Sequence, residues 1–94
     1  MYAISFDFNS DDLKKEFGKN YNNKAYDKIE KVFEKFGFSW LNGSVYINYN
    51  KKNSLTEVYK AINMLSTIYW FKKSVRNIKV FKINDLSDFT LVVK

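Results

Sequence analysis

The chain contains neither histidine nor cysteine. That excludes Ser-His and Cys-His nucleophile pairs, thiolate zinc sites, disulfides and any imidazole proton shuttle. Chemistry must come from carboxylates, hydroxyls, tyrosine, lysine and arginine, with or without a hard cation such as Mg²⁺. One carboxylate stands in an unusual place. The opening run MYAISFDF puts Tyr2, Ile4, Phe6 and Phe8 on one parity and Ala3, Ser5 and Asp7 on the other, the alternation of a strand. Aspartate is poorly suited to strands because its side chain competes for nearby backbone groups. Asp7 therefore reads either as a solvated strand end or as a working carboxylate held on a rigid element.

The cations are unevenly spread. Of the net charge of +6, all resides between Val58 and Asn84, where Lys60, Lys72, Lys73, Arg76, Lys79 and Lys82 meet no acid. A solvated helix face mixes signs, as Asp27, Lys28, Glu30, Lys31, Glu34 and Lys35 do. A block of one sign on a folded segment predicts a polyanion partner, and nucleic acid is the commonest.

Ninety-four residues suffice for a single domain, 1–94, and 46% hydrophobic content with 19% aromatics predicts a packed core rich in Phe and Tyr. No apolar run approaches a membrane span, and the first residues read as a strand rather than a leader, so a cytoplasmic protein is expected. After that strand, NSDDLKKEFGKNYNNK reads as a loop with room for one helical turn. Helical spacing of Ala25, Ile29, Val32, Phe33 and Phe36 predicts a helix over about 22–36, stopped by Gly37. Asn42-Gly43 predicts a two-residue hairpin turn, with Val45, Ile47 and Tyr49 on one face and Ser44, Tyr46 and Asn48 on the other.

A second helix follows, opened by a capping box from Ser54 to Glu57 and buried along Leu55, Val58, Ile62, Leu65 and Tyr69. Tyr69, Trp70 and Phe71 close it as core filler. A fourth strand spans about 76–83, and its imperfect alternation predicts a bulge. LSDFT reads as a turn and TLVVK as a short C-terminal strand. The order β-α-β-β-α-β is the ferredoxin-like arrangement, an α+β fold with an antiparallel sheet and helices on one face. In it the first strand and the strand after the hairpin are neighbours, so Asp7 and Ser44 are expected close together, with Ser5, Tyr46 and Asn48 sharing their open face.

The segments MYAISFD, GFSWLNGSVY, WFKKSVRNIKVFKI and SDFT, in this order and spacing, resemble the virulence-associated protein D (VapD) family of small bacterial proteins over essentially the whole chain. The resemblance implies a ferredoxin-like homodimer acting as an endoribonuclease on single-stranded RNA or mRNA, the toxin of a toxin–antitoxin pair with a cognate antitoxin protein. It also implies kinship with the CRISPR-associated small nucleases, in which the strand-one Asp pairs with its copy across a dimer. Two positions depart from the family pattern: Asn77 stands where Asp is usual, and Asn42 where Gln is frequent.

On this reading Asp7 is the catalytic base or a Mg²⁺ ligand shared across the dimer, and Ser44 a second catalytic residue. Arg76, Lys79, Lys72 and Lys73 contact phosphates, with Tyr46 as a further RNA contact. The C-terminal residues 90–93 would extend or cover the partner's sheet. Two alternatives stay open: an RNA-binding module without cleavage, and a dimeric interaction protein with vestigial chemistry, which Asn77 keeps alive.

Overall fold

In the computed structural model, which describes residues 1–50, 52 and 54–94, the opening run is strand β1 (Tyr2–Phe8). The chain is α+β, with a four-stranded antiparallel sheet and, among the described residues, five helices. The stretch read as a loop is helix α1 (Ser10–Phe17). The Asn9 carboxamide oxygen caps it by accepting the Asp12 N–H at 3.1 Å. Asp11 and Asp12 in its first turn and Lys14 and Lys15 in its last complement the helix dipole. Helix α2 (Tyr21–Lys35) buries Ala25, Ile29 and Phe33 at the expected spacing.

The hairpin pairs β2 (Ser39–Asn42) with β3 (Val45–Asn48), and its two-residue loop is Gly43-Ser44 rather than Asn42-Gly43. Only Gly43 takes a positive φ there, at 49°. Leu41 is the extra residue of a register shift between Trp40 and Asn42 that moves the loop by one position.

The predicted second helix is two: α3 (Ser54–Leu65) and α4 (Tyr69–Ser74). Between them the Ser66 and Thr67 hydroxyls each donate to a carbonyl three residues back, Asn63 and Met64, at 2.7 Å. Such back-bonding competes with the regular ladder, and the chain turns. The break reassigns the stripe: Val58, Ala61 and Leu65 are buried, while Leu55 and Tyr69 are exposed. Trp70 and Phe71 do enter the core, and Tyr69 instead donates to Glu16 on α1. The capping box at Ser54 falls on a side chain outside the described residues.

Strand β4 (Val75–Lys82) completes the sheet in the order β2-β3-β1-β4. The tail read as a fifth strand forms a short exposed helix, α5 (Thr90–Val93), instead. Asp88 drives the turn by accepting both the N–H and the hydroxyl of Thr90, bonds that also lower its carboxyl pKa.

One aromatic-rich core lies between the sheet and α1 to α4. Phe6 of β1 stacks on Phe33 of α2 and on Tyr46 of β3, and Phe33 and Tyr46 stack at 4.4 Å between ring centres. Each such pair adds about 0.5–1.5 kcal/mol beyond its buried area. At the far end of β3, the buried Asn48 donates from Nδ2 to the Phe36 carbonyl at 3.2 Å and accepts the Asn50 N–H at 2.9 Å. A Cβ on Gly37 would lie 3.3 Å from Asn48 Nδ2, so this helix end admits little else.

Candidate active site

The alternation of β1 sends Ile4 and Phe6 into the core and leaves Asp7 exposed on the opposite face. Asp7 faces Asn77 across the β1–β4 ladder, and Asn77 Nδ2 donates to Asp7 Oδ2 at 3.2 Å. The next pair is Phe8 with Val75, so Arg76 is the unpaired residue of a bulge. The sequence predicted this irregularity, and it sets Arg76 next in the chain to Asn77, the ladder partner of Asp7. The Asn9 N–H donates to the Ser74 carbonyl at 2.8 Å and fastens the end of β1 to the α4–β4 junction.

Lys79 pairs with Ser5 on the same face as Asp7 and Asn77, two residues along β4, or about 7 Å. Lys72 and Lys73 are exposed in the last turn of α4, immediately before the bulge. Lys82 pairs with Tyr2 at the other end of the strand and lies away from this group. Lys60 is engaged by Glu57 at 3.3 Å, the one ion pair among the described residues.

Ser44 and Tyr46 do not join Asp7. Phe6 N–H donates to the Ser44 carbonyl at 3.2 Å, so the backbones are adjacent, but the side chains part. Tyr46 pairs with Ile4 and is buried in the core, and the Ser44 hydroxyl shares a 2.7 Å hydrogen bond with Tyr26 of α2. Tyr46, Ser44 and Asn48 thus lie on the helix side, the reverse of the expected parity. The apolar triad misleads because β3 is covered on both faces: Ile47, paired with Ala3, is as buried as Tyr46. Beyond β4 the chain runs back toward β2, where Leu86 to Thr90 line a cleft with Leu41, Asn42 and Tyr49 on that second side.

Next to the hairpin loop, Tyr26, Glu30, Trp40 and Tyr46 line a second cleft with Asn23 and Gly43. Burial first, then the Glu30 carboxylate and Tyr26, push the Tyr46 hydroxyl up to about 12. Tyr26 and Glu30 escaped the sequence reading; the signal was their helical i, i+4 spacing on α2, one turn from the buried Ile29.

Among the described residues no three acidic side chains gather as a metal site. Within one chain Asp7 is a single carboxylate with one amide beside it, so a Mg²⁺ here would need water, substrate phosphate or a second Asp7 across a dimer to complete its oxygen shell. The geometry offers instead a solvent-facing carboxylate, oriented by an amide donor and bordered by cations that can hold phosphates.

A small α+β protein with one oriented carboxylate on its first strand, a basic bulge beside it and no histidine is the class that this fold and site define. No family model matches the chain. It is 58% identical over 94 residues to the endoribonuclease VapD of Helicobacter pylori, covering 100% of this chain and 99% of that one. It is 51% identical to the Dichelobacter nodosus endoribonuclease VapD, covering 100% and 98%. To the Haemophilus influenzae protein of that name it is 38% identical, covering 96% and 94%. The chain belongs to the VapD family.

Proposed function

We propose that the protein is an endoribonuclease cleaving single-stranded RNA, mRNA included, with Asp7 as its general base. The observation that carries this reading is the Asp7–Asn77 couple, exposed on a rigid strand beside the Arg76 bulge. Asp7 takes the proton of a ribose 2′-hydroxyl as the 2′-oxygen attacks phosphorus. The bond to the 5′-oxygen breaks, that oxygen takes a proton from solvent, and a 2′,3′-cyclic phosphate results. Arg76 and Lys79 hold the phosphate and offset the charge that develops on it, while Lys72 and Lys73 hold the flanking backbone. Asn77 orients the Asp7 carboxylate by donating to Oδ2.

In this reading the whole chain, 1–94, is one ferredoxin-like domain, supported by the strand order β2-β3-β1-β4. It works in the cytoplasm as the toxin of a toxin–antitoxin pair with a cognate antitoxin protein, in keeping with the motif resemblance. No helix among the described residues is long and apolar enough to cross a membrane. It is a homodimer: β4 is a long edge strand, and Ile78 and Val80 line an apolar groove with Leu55, Val58, Tyr59 and Ile62 of α3. Exposed apolar edges of this kind call for cover. A dimer mass in light scattering at micromolar concentration is expected.

The deciding experiment compares wild type and Asp7→Asn on labelled RNA, with Mg²⁺ and with chelator. Loss of the carboxylate costs at least about 100-fold in single-turnover cleavage. Stability changes by no more than about 0.5 kcal/mol, because the side chain is exposed. An unchanged rate removes Asp7 from the mechanism and favours RNA binding without cleavage.

A further inference from the structure

The cleft beside the hairpin loop is not used by the chemistry above. It is lined by Asn23, Tyr26, Glu30, Trp40, Gly43 and Tyr46, and none of these is basic. On a protein of net charge +6 this is a poor seat for a phosphate: the one full charge is the Glu30 carboxylate. The ring of Tyr46 is 3% exposed, yet its hydroxyl makes no hydrogen bond to protein among the described residues and opens into this cleft. Its proton is firmly held, so at neutral pH it is available as a donor. The neighbouring Tyr26 and Ser44 hydroxyls satisfy each other.

Trp40 forms the outer wall. It is 60% exposed, and its Nε1 donates to the Gly43 carbonyl at 2.9 Å, which fixes the indole beside the loop. An exposed, pinned aromatic is a stacking surface for a planar ring. The accessible Tyr46 hydroxyl and the Glu30 carboxylate then meet that ring's edge as one donor and one acceptor.

Resting on the ribonuclease reading, we infer that this cleft binds one nucleobase of the RNA, stacked on Trp40 with its exocyclic amino group on Glu30 and a ring acceptor on Tyr46. The position suits that role. Ser44 is paired through its backbone with Phe6, the residue before Asp7, so the hairpin loop that borders the cleft adjoins the strand end that carries the carboxylate. An RNA strand rounding the hairpin loop places a base here and a nearby phosphate at Asp7, Arg76 and Lys79. Adenine, cytosine and guanine carry the amino group. Uracil has no amino group and offers Glu30 only its ring N3–H, flanked by two carbonyl oxygens that the carboxylate repels, and is disfavoured.

The test uses wild type, Tyr46→Phe, Glu30→Gln and Trp40→Ala with four RNA tetranucleotides that differ at one inner base, and a fifth that is abasic there. Two readouts are followed: the NMR signal of the Trp40 indole N–H during titration, and the cleavage rate of each RNA. Wild type is expected to shift the Trp40 signal with every base but not with the abasic strand, and to discriminate against uracil by about tenfold. Tyr46→Phe and Glu30→Gln each reduce that discrimination by slowing the strands with an amino-bearing base more than the uracil strand. A Trp40 signal that ignores the base, or unaltered preference in both variants, overturns the inference. Base-dependent shifts without any cleavage would support the cleft and overturn the ribonuclease reading instead.

Discussion

Strand β1 has two neighbours that pair with the same residues and meet opposite fates. Ile4 faces Tyr46 on β3 and Val80 on β4; Ala3 faces Ile47 on one side and Phe81 on the other. Tyr46 and Ile47 are buried, whereas Val80 and Phe81 are 43% and 46% exposed. The side chains are of similar character, so the difference lies in what covers them. Strand β3 is buried on both faces, but α3 leaves a groove along β4. Half of the sheet is finished within one chain, and the other half is arranged to be finished by something else.

The contrast makes unequal demands on equal substitutions. Ile47→Ala should destabilise by about 2–5 kcal/mol, as removal of a fully enclosed side chain does. Val80→Ala should cost under about 1 kcal/mol at dilutions where the protein is monomeric, and more at concentrations where it is a dimer. Denaturant midpoints measured over a concentration series check both. Equal costs at every concentration would break the comparison.

A middle-sized effect concerns the tyrosine on the enclosed side. Tyr46 holds its proton to about 12 in the fold, against the ordinary value of 10.0 for an exposed tyrosine. The folded state therefore binds that proton more tightly than the unfolded one. The stability so gained is complete below pH 10 and is lost as pH rises toward 12. Tyr46→Phe should flatten this alkaline decline, measured by unfolding between pH 9 and 11.5.

The smallest effect concerns the exposed strand. If β4 meets the RNA backbone, the slope of log affinity against log salt falls by about 0.7 for each of Arg76 and Lys79 replaced by a neutral residue. Titrations at several salt concentrations measure it. The same replacement at Lys82, at the far end of the strand, should change the slope less.

Much of this molecule could be read in its sequence, and the failures share a cause. Alternation identified β1 and gave Asp7 its outward parity because only one face of that strand end is covered. The spacing on α2 and the stop at Gly37 were equally plain. On β3 the rule lost its meaning, since both faces are covered and the polar-looking row Ser44, Tyr46, Asn48 is the one that meets the helices. The α3–α4 break was hidden because Ser66 and Thr67 do not interrupt apolar periodicity; they act by hydrogen bonding to the backbone. TLVV looked like a strand, but without a neighbour to pair with, a capping bond from Asp88 is enough to wind it. For the site, residue types led to the exposed carboxylate and its cations. The cleft needed residues from α2, β2 and β3, whose adjacency no spacing reveals.

Asn48 has a mechanical consequence for that cleft. Its two hydrogen bonds and its tight fit on Gly37 clasp the far end of β3 to the end of α2. At the loop end the corresponding tie is one hydroxyl pair, Tyr26 with Ser44. The hairpin is thus hinged where it is buried and latched where it is wet, like the jaw of a clothes peg. Parting Ser44 from Tyr26 at the tip sacrifices one hydrogen bond of about 1 kcal/mol, whereas parting Asn48 from Phe36 and Gly37 breaks into the core.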